Sequence, residues 1–150
     1  MKQFQSCPGC WLAHCSFRET SLNVLIIDDN DMTRAVLRAM LFSTVHHVCG
    51  EAANGKAGLE LAHKLLPDVV FLDILMPDLS GIEVLKQLKE EMPQVVVLMV
   101  TGERDTDTIR QCVAAGASGF IVKPFNAATV LKALADAALR AGAQGHKPSK

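Results

Sequence analysis

The sequence predicts an α/β protein: a five-stranded parallel sheet, doubly wound, with helices on both faces. Two observations carry this reading. Short runs that are apolar at nearly every position recur along the chain, and strands of that kind must be buried on both faces. Each run is followed by a segment of helical character, several with apolar residues three and four apart. That alternation is the pattern of β/α repeats packed in layers.

The apolar runs are Val24 to Ile27, Val48 with the residues around it, Val69 to Leu72, Val95 to Val100, and Phe120 to Val122. The helical segments that follow them are roughly Met32 to Ser43, Lys56 to Leu66, Ile82 to Glu91, Thr106 to Ala115, and Ala127 to Ala141. The last is rich in alanine, which its good helix propensity explains without any function. Three parts are expected: an extension over residues 1–21, a folded domain over 22–142, and a flexible tail over 143–150, whose only apolar residue is Ala143.

With 150 residues, of which 49% are hydrophobic and 21% charged, the chain has room for about one domain with a core of its own. The formal charge of -1 lacks the footprint of a dedicated nucleic-acid binder. The run from Val95 to Val100 is far too short to cross a bilayer. Gln3, Gln5, Ser6, Pro8 and Gly9 interrupt the N-terminus, so no signal-peptide core can be drawn. The expectation is a cytoplasmic protein with no membrane insertion, whose five cysteines are reduced thiols.

In open parallel α/β sheets, ligands bind outside the carboxyl ends of the strands, near the point where strand order reverses. At those ends stand Asp28 and Asp29, Asp73, Thr101 and Gly102, and Lys123 and Pro124. Each has a structural alternative. The aspartates or Thr101 could cap helices or start turns, and Lys123 could be a surface residue. Together they say more. Three carboxylates sharing a crevice repel one another and persist mainly around a hard cation with oxygen ligands, Mg²⁺ foremost. A lysine and a hydroxyl facing that cation make a cradle for a phosphoryl group.

Asp28-Asp29, Asp73 with Met76-Pro77 and Gly81, Thr101-Gly102, and Phe120 with Lys123-Pro124-Phe125 resemble the receiver domain of bacterial two-component response regulators, notably the single-domain chemotaxis type. The resemblance covers about Asn23 to Ala141. It implies a flavodoxin-like (βα)5 fold with strand order 2-1-3-4-5. It implies Asp73 as phosphoacceptor from a phosphohistidine. It also implies Mg²⁺ held by Asp29, Asp73 and the backbone carbonyl of Leu75, with Asp28 assisting directly or through water. Thr101 and Lys123 would bind phosphoryl oxygens, and the Lys123-Pro124 bond would be cis. Phe120 would be the switch aromatic, moving with Thr101 to reshape the face of the fourth helix, fifth strand and fifth helix. Leu75 and Glu103 would tune the lifetime of the phosphorylated form.

The implied protein is a stand-alone phosphorylatable regulator rather than an enzyme, beyond its own phosphorylation and slow dephosphorylation. Its partners would be a sensor histidine kinase or histidine phosphotransfer protein and a downstream protein target, with no direct contact to nucleic acid. A phosphorylation-dependent homodimer is one form the output could take. A second reading comes from Asp29-Asn30-Asp31-Met32-Thr33, which matches the Asp-x-Asp-x-Thr motif of haloacid-dehalogenase-like phosphohydrolases, with Asp29 as nucleophile.

Cys7, Cys10, His14 and Cys15 fall outside the receiver pattern. A two-residue gap between cysteines suits a zinc knuckle, but adjacent His14 and Cys15 face one ion awkwardly. No strand precedes the motif, so a redox site is poorly supported and an arm is the leading reading. Cys49 and Cys112 fit core patterns, and His46-His47 reads as a surface turn.

Overall fold

The computed structural model describes residues 21–102 and 105–143. The N-terminal cysteine and histidine cluster, Glu103 and the tail after Ala143 lie outside the described residues.

Five strands alternate with five helices. These are β1 (Asn23–Ile27), α1 (Asp31–Phe42), β2 (His47–Ala52), α2 (Gly55–Leu65), β3 (Val69–Leu72), α3 (Gly81–Glu91), β4 (Val96–Thr101), α4 (Thr106–Ala114), β5 (Gly119–Val122) and α5 (Ala127–Ala143). All strand pairs are parallel and the order is β2-β1-β3-β4-β5. β3 and β4 are buried at every position and β1 at all but its first, as their apolar runs require. β2, at one edge of the sheet, is only partly buried.

Two hydrophobic layers sandwich the sheet. One packs Leu37 and Leu41 of α1 and Val130, Leu134 and Ala137 of α5 against Val24, Ile26, Phe71 and Val100. The other packs α2, α3 and α4, through Leu59, Leu85 and Cys112, against Leu25, Ile27, Leu72 and Met99. Side chains alternate between the layers because a strand's period is two.

Polar side chains start the helices by accepting orphan backbone N–H groups. Asn30 caps α1, Asn54 α2, Ser80 α3 and Asp105 α4, while Asn126 accepts from Thr129 at the start of α5. The capping alternatives for Asp28, Asp29 and Thr101 are thereby displaced. Gly116, at φ 108°, follows α4 in the left-handed conformation that closes helices.

Three expectations are corrected. His47 is not in a turn: it opens β2, and its N–H donates to the Leu22 carbonyl at 2.9 Å. The fourth strand is Val96–Thr101, one residue later than the apolar run Val95 to Val100, with Thr101 at its end as expected. α5 runs to Ala143, beyond Ala141, because the alanine-rich sequence continues the helix where the apolar period fades. Cys112 is fully buried and Cys49 packs half-buried against the core, both as free thiols. Among the described residues, no helix is long and apolar enough to cross a membrane.

Candidate functional site

The sheet order reverses between β1 and β3: the chain leaves β1 for β2 on one side and returns to β3 on the other. Ile27 and Leu72 pair in register, so Asp28 and Asp73 follow directly at the same edge. Each is pinned by one further ladder-like bond. The Asp28 N–H donates to the Ala52 carbonyl, the Asp73 N–H to Ile27 and the Lys123 N–H to Thr101, at 3.0, 3.0 and 2.9 Å.

Carboxylate oxygens of Asp28, Asp29 and Asp73 lie within 4.8 Å of one another. Asp28 and Asp73 are buried, whereas Asp29 is exposed at the rim. The Lys123 ammonium stands 3.3 Å from Asp28 Oδ2 and 3.8 Å from Asp73 Oδ1. The Lys123-Pro124 peptide is cis. Burial, followed by the charge of Asp28, pushes the Asp73 carboxyl up to about 6, with Lys123 opposing and Asp29 adding. A carboxylate is therefore held where loss of water and the neighbouring carboxylates disfavour its charge, a condition that an arriving cation relieves.

The residues fit Mg²⁺. Asp28 Oδ2 is fully buried and accepts no hydrogen bond, facing only the Lys123 charge among the described residues, and the three candidate ligands are all carboxylates. Oxygen-only donors with high negative charge suit a small, hard cation.

Thr101 is buried at the end of β4. Phe120 lies in β5 opposite Met99 and packs half-buried against the core on the α2, α3 and α4 side. Leu75, two residues past Asp73, is 63% exposed on the loop. Gly81 has a steric reason to be glycine: a Cβ there would stand 2.1 Å from the Asp73 carbonyl oxygen. Its N–H donates to the Ile74 carbonyl, closing the loop after β3 tightly.

Two supporting residues escape the sequence pattern. The Arg34 guanidinium donates to the Asp28 carbonyl at 2.6 Å while pairing with Asp31 and Glu51. Asp78 accepts from the Gly55 and Lys56 N–H groups at 2.9 Å each, and those bonds hold its carboxyl down at about 2. It fastens the loop after β3 to the start of α2. The Asp78 contacts have no local signature, because their partners stand on another element, and the Arg34 bond runs to a backbone carbonyl, which side-chain patterning does not reveal.

Comparison with known proteins agrees with this geometry. The model of the response regulator receiver domain matches residues 24–135. A chemotaxis protein CheY of Thermotoga maritima is 34% identical over 111 residues, covering 74% of this chain and 92% of that protein. A cyclic di-GMP phosphodiesterase of the same organism is 40% identical over 105 residues, 70% of this chain but 28% of that protein. The solved structure of chemotaxis protein CheY4 from Vibrio cholerae superposes with a TM-score of 0.74 at 32% identity, over 79% of this chain and 99% of that one. This chain thus spans most of one relative and about a quarter of another.

Proposed function

Since this chain belongs to the response regulator receiver domain family, whose members act in phosphorylation-based two-component signalling, we propose that Asp73 is its phosphoacceptor and Mg²⁺ its cofactor. The observation that carries this reading is the convergence of three carboxylates and Lys123 on the sheet edge where strand order reverses.

A carboxylate oxygen of Asp73 attacks the phosphorus of a phosphohistidine on a kinase or phosphotransfer protein. The new O–P bond forms as the P–N bond breaks, and the bonding pair returns to the imidazole nitrogen, which leaves neutral once protonated. Lys123 and the Thr101 hydroxyl bind phosphoryl oxygens. Asp28, Asp29, Asp73 and the Leu75 carbonyl would hold Mg²⁺, which would supply positive charge against the phosphoryl oxygens. Thr101, drawn toward the new phosphoryl group, opens space into which Phe120 turns, changing the face of α4, β5 and α5 that a downstream protein target reads. A homodimer through that face is one such output. Family membership favours Asp73 as nucleophile over Asp29 of the phosphohydrolase reading, and Asp29 stands exposed at the rim.

The test is phosphorylation by acetyl phosphate with Mg²⁺, followed by intact mass. The wild-type chain gains a single phosphoryl group, Asp73→Asn gains none, and excess EDTA prevents the gain. Labelling of Asp73→Asn at the wild-type rate overturns the assignment.

A further inference from the structure

We propose that residues 11 to 17 of this chain dock in the cleft between α1 and the edge strand β2, with the indole of Trp11 against Phe42. The cleft, of about 540 Å³, is lined by Leu41, Phe42 and Val48 on its apolar side, with Arg38, His46 and Glu51 also among its walls. That volume lies in the range of natural binding pockets, ~300–1,000 Å³. Phe42 is 90% exposed, and Val45 beside it is also open to solvent. A phenyl ring held outside next to an apolar cleft is surface of the kind that marks a contact site.

The occupant follows from where the chain runs. Ser21 and Leu22, which lead into β1, are fastened to this corner of the fold. The Ser21 hydroxyl donates to the Val45 carbonyl at 2.8 Å, and the Leu22 N–H donates to Nδ1 of His46 at 3.3 Å. Ser21 and Leu22, the first described residues, therefore stand beside His46 in the wall of the cleft. An extended chain covers at most ~3.6 Å per residue, so Phe17 can range ~14 Å from Ser21 and Trp11 ~36 Å. So short a tether gives the segment a high effective concentration at the cleft.

Composition supports the same occupant. Residues 3 to 17 contain no Asp, Glu, Lys or Arg, and they carry Phe4, Trp11, Leu12 and Phe17. Docking would bury Trp11, Leu12 and Phe17 without carrying any charged side chain of the segment into the cleft. Arg38 adds a cation for an indole face, since its side chain is half exposed while its guanidinium pairs with Glu51.

Trp11 is the only tryptophan, so intrinsic fluorescence reads the contact directly. In the full chain, emission is expected to lie blue of the urea-unfolded chain and to resist acrylamide quenching. Phe42→Asp should shift it red and restore quenching. Leu139→Asp, at a similarly exposed apolar position on α5, should leave it unchanged. Far-UV circular dichroism confirms that both variants fold. The proposal is overturned if native emission is as exposed as in urea, or if Phe42→Asp leaves it unmoved. A blue shift that vanishes on dilution also overturns it, because the cleft is then filled by a second copy.

Discussion

The Lys123 ammonium lies closer to Asp28 than to Asp73, at 3.3 against 3.8 Å. Without a cation, this lysine is, among the described residues, the positive charge paired with the side chains of the buried acidic crevice. Removing one partner of a buried pair leaves an uncompensated charge, which costs roughly 3–5 kcal/mol in full burial. Lys123 is partly exposed, so Lys123→Met should lower stability by about 2 kcal/mol in EDTA. Adding Asp28→Asn should recover more than half of that loss. Urea denaturation of the single and double variants checks this, and a double variant no more stable than Lys123→Met contradicts it.

Two aspartates should make stability depend on pH with opposite signs. The folded-state Asp73 carboxyl is raised to about 6, mainly by burial. Its ionisation therefore works against folding above pH 6, and stability in EDTA should rise as pH falls from 6 toward 4, the ordinary aspartate range. Asp73→Asn should flatten that window. Asp78 is lowered to about 2 by backbone N–H donors. It stabilises the fold above about pH 4, and that contribution should fade as pH falls toward 2. Asp78→Asn should remove this low-pH component while leaving the upper window intact. Urea midpoints across both ranges read the two effects separately.

Gly81→Ala should be strongly destabilising. The added methyl would overlap the Asp73 carbonyl oxygen and crowd the Ile74 Cα, both of them backbone atoms. Relief requires the loop after β3 to move, at a cost of about 3 kcal/mol. The shift in thermal midpoint checks the magnitude, and a near-neutral change would mean that the loop yields easily.

Leu75→Asn should speed loss of the phosphoryl group while barely changing its acquisition. Leu75 is an exposed apolar side chain two residues past the proposed acceptor, and it offers no hydrogen bond to orient an attacking water. A ~10-fold faster decay corresponds to about 1.4 kcal/mol in the barrier. Timing the decay after donor removal, with Mg²⁺ fixed, measures it, and equal decay in the two proteins counts against the role.

The central strands were legible because burial on both faces leaves an unbroken apolar run, as in Val69–Leu72. The edge strand His47–Ala52 was not legible in detail: it is half exposed and carries a bulge, so Cys49 falls between partners of Val24 and Leu25. Asp28, Asp73 and Lys123 could be found because strand ends mark the ligand edge of such sheets. Arg34 and Asp78 could not, since each reaches a partner on another element. Asn30, which the sequence places inside an Asp-x-Asp-x-Thr motif, is the cap of α1, as its type and its place before a helix allow.

The β1 to β3 pairing also sets when, in the life of the chain, the acidic crevice comes into being. Asp28 and Asp73 are 45 residues apart and become neighbours only once β3 has crossed over to lie against β1. Lys123 arrives later still, directly after the last strand of the chain. Such non-local contacts form late and cooperatively. A chain emerging from the ribosome through α2 displays Asp28 and Asp29 but has no assembled crevice. The three-carboxylate crevice with its lysine is thus a property of the finished fold alone.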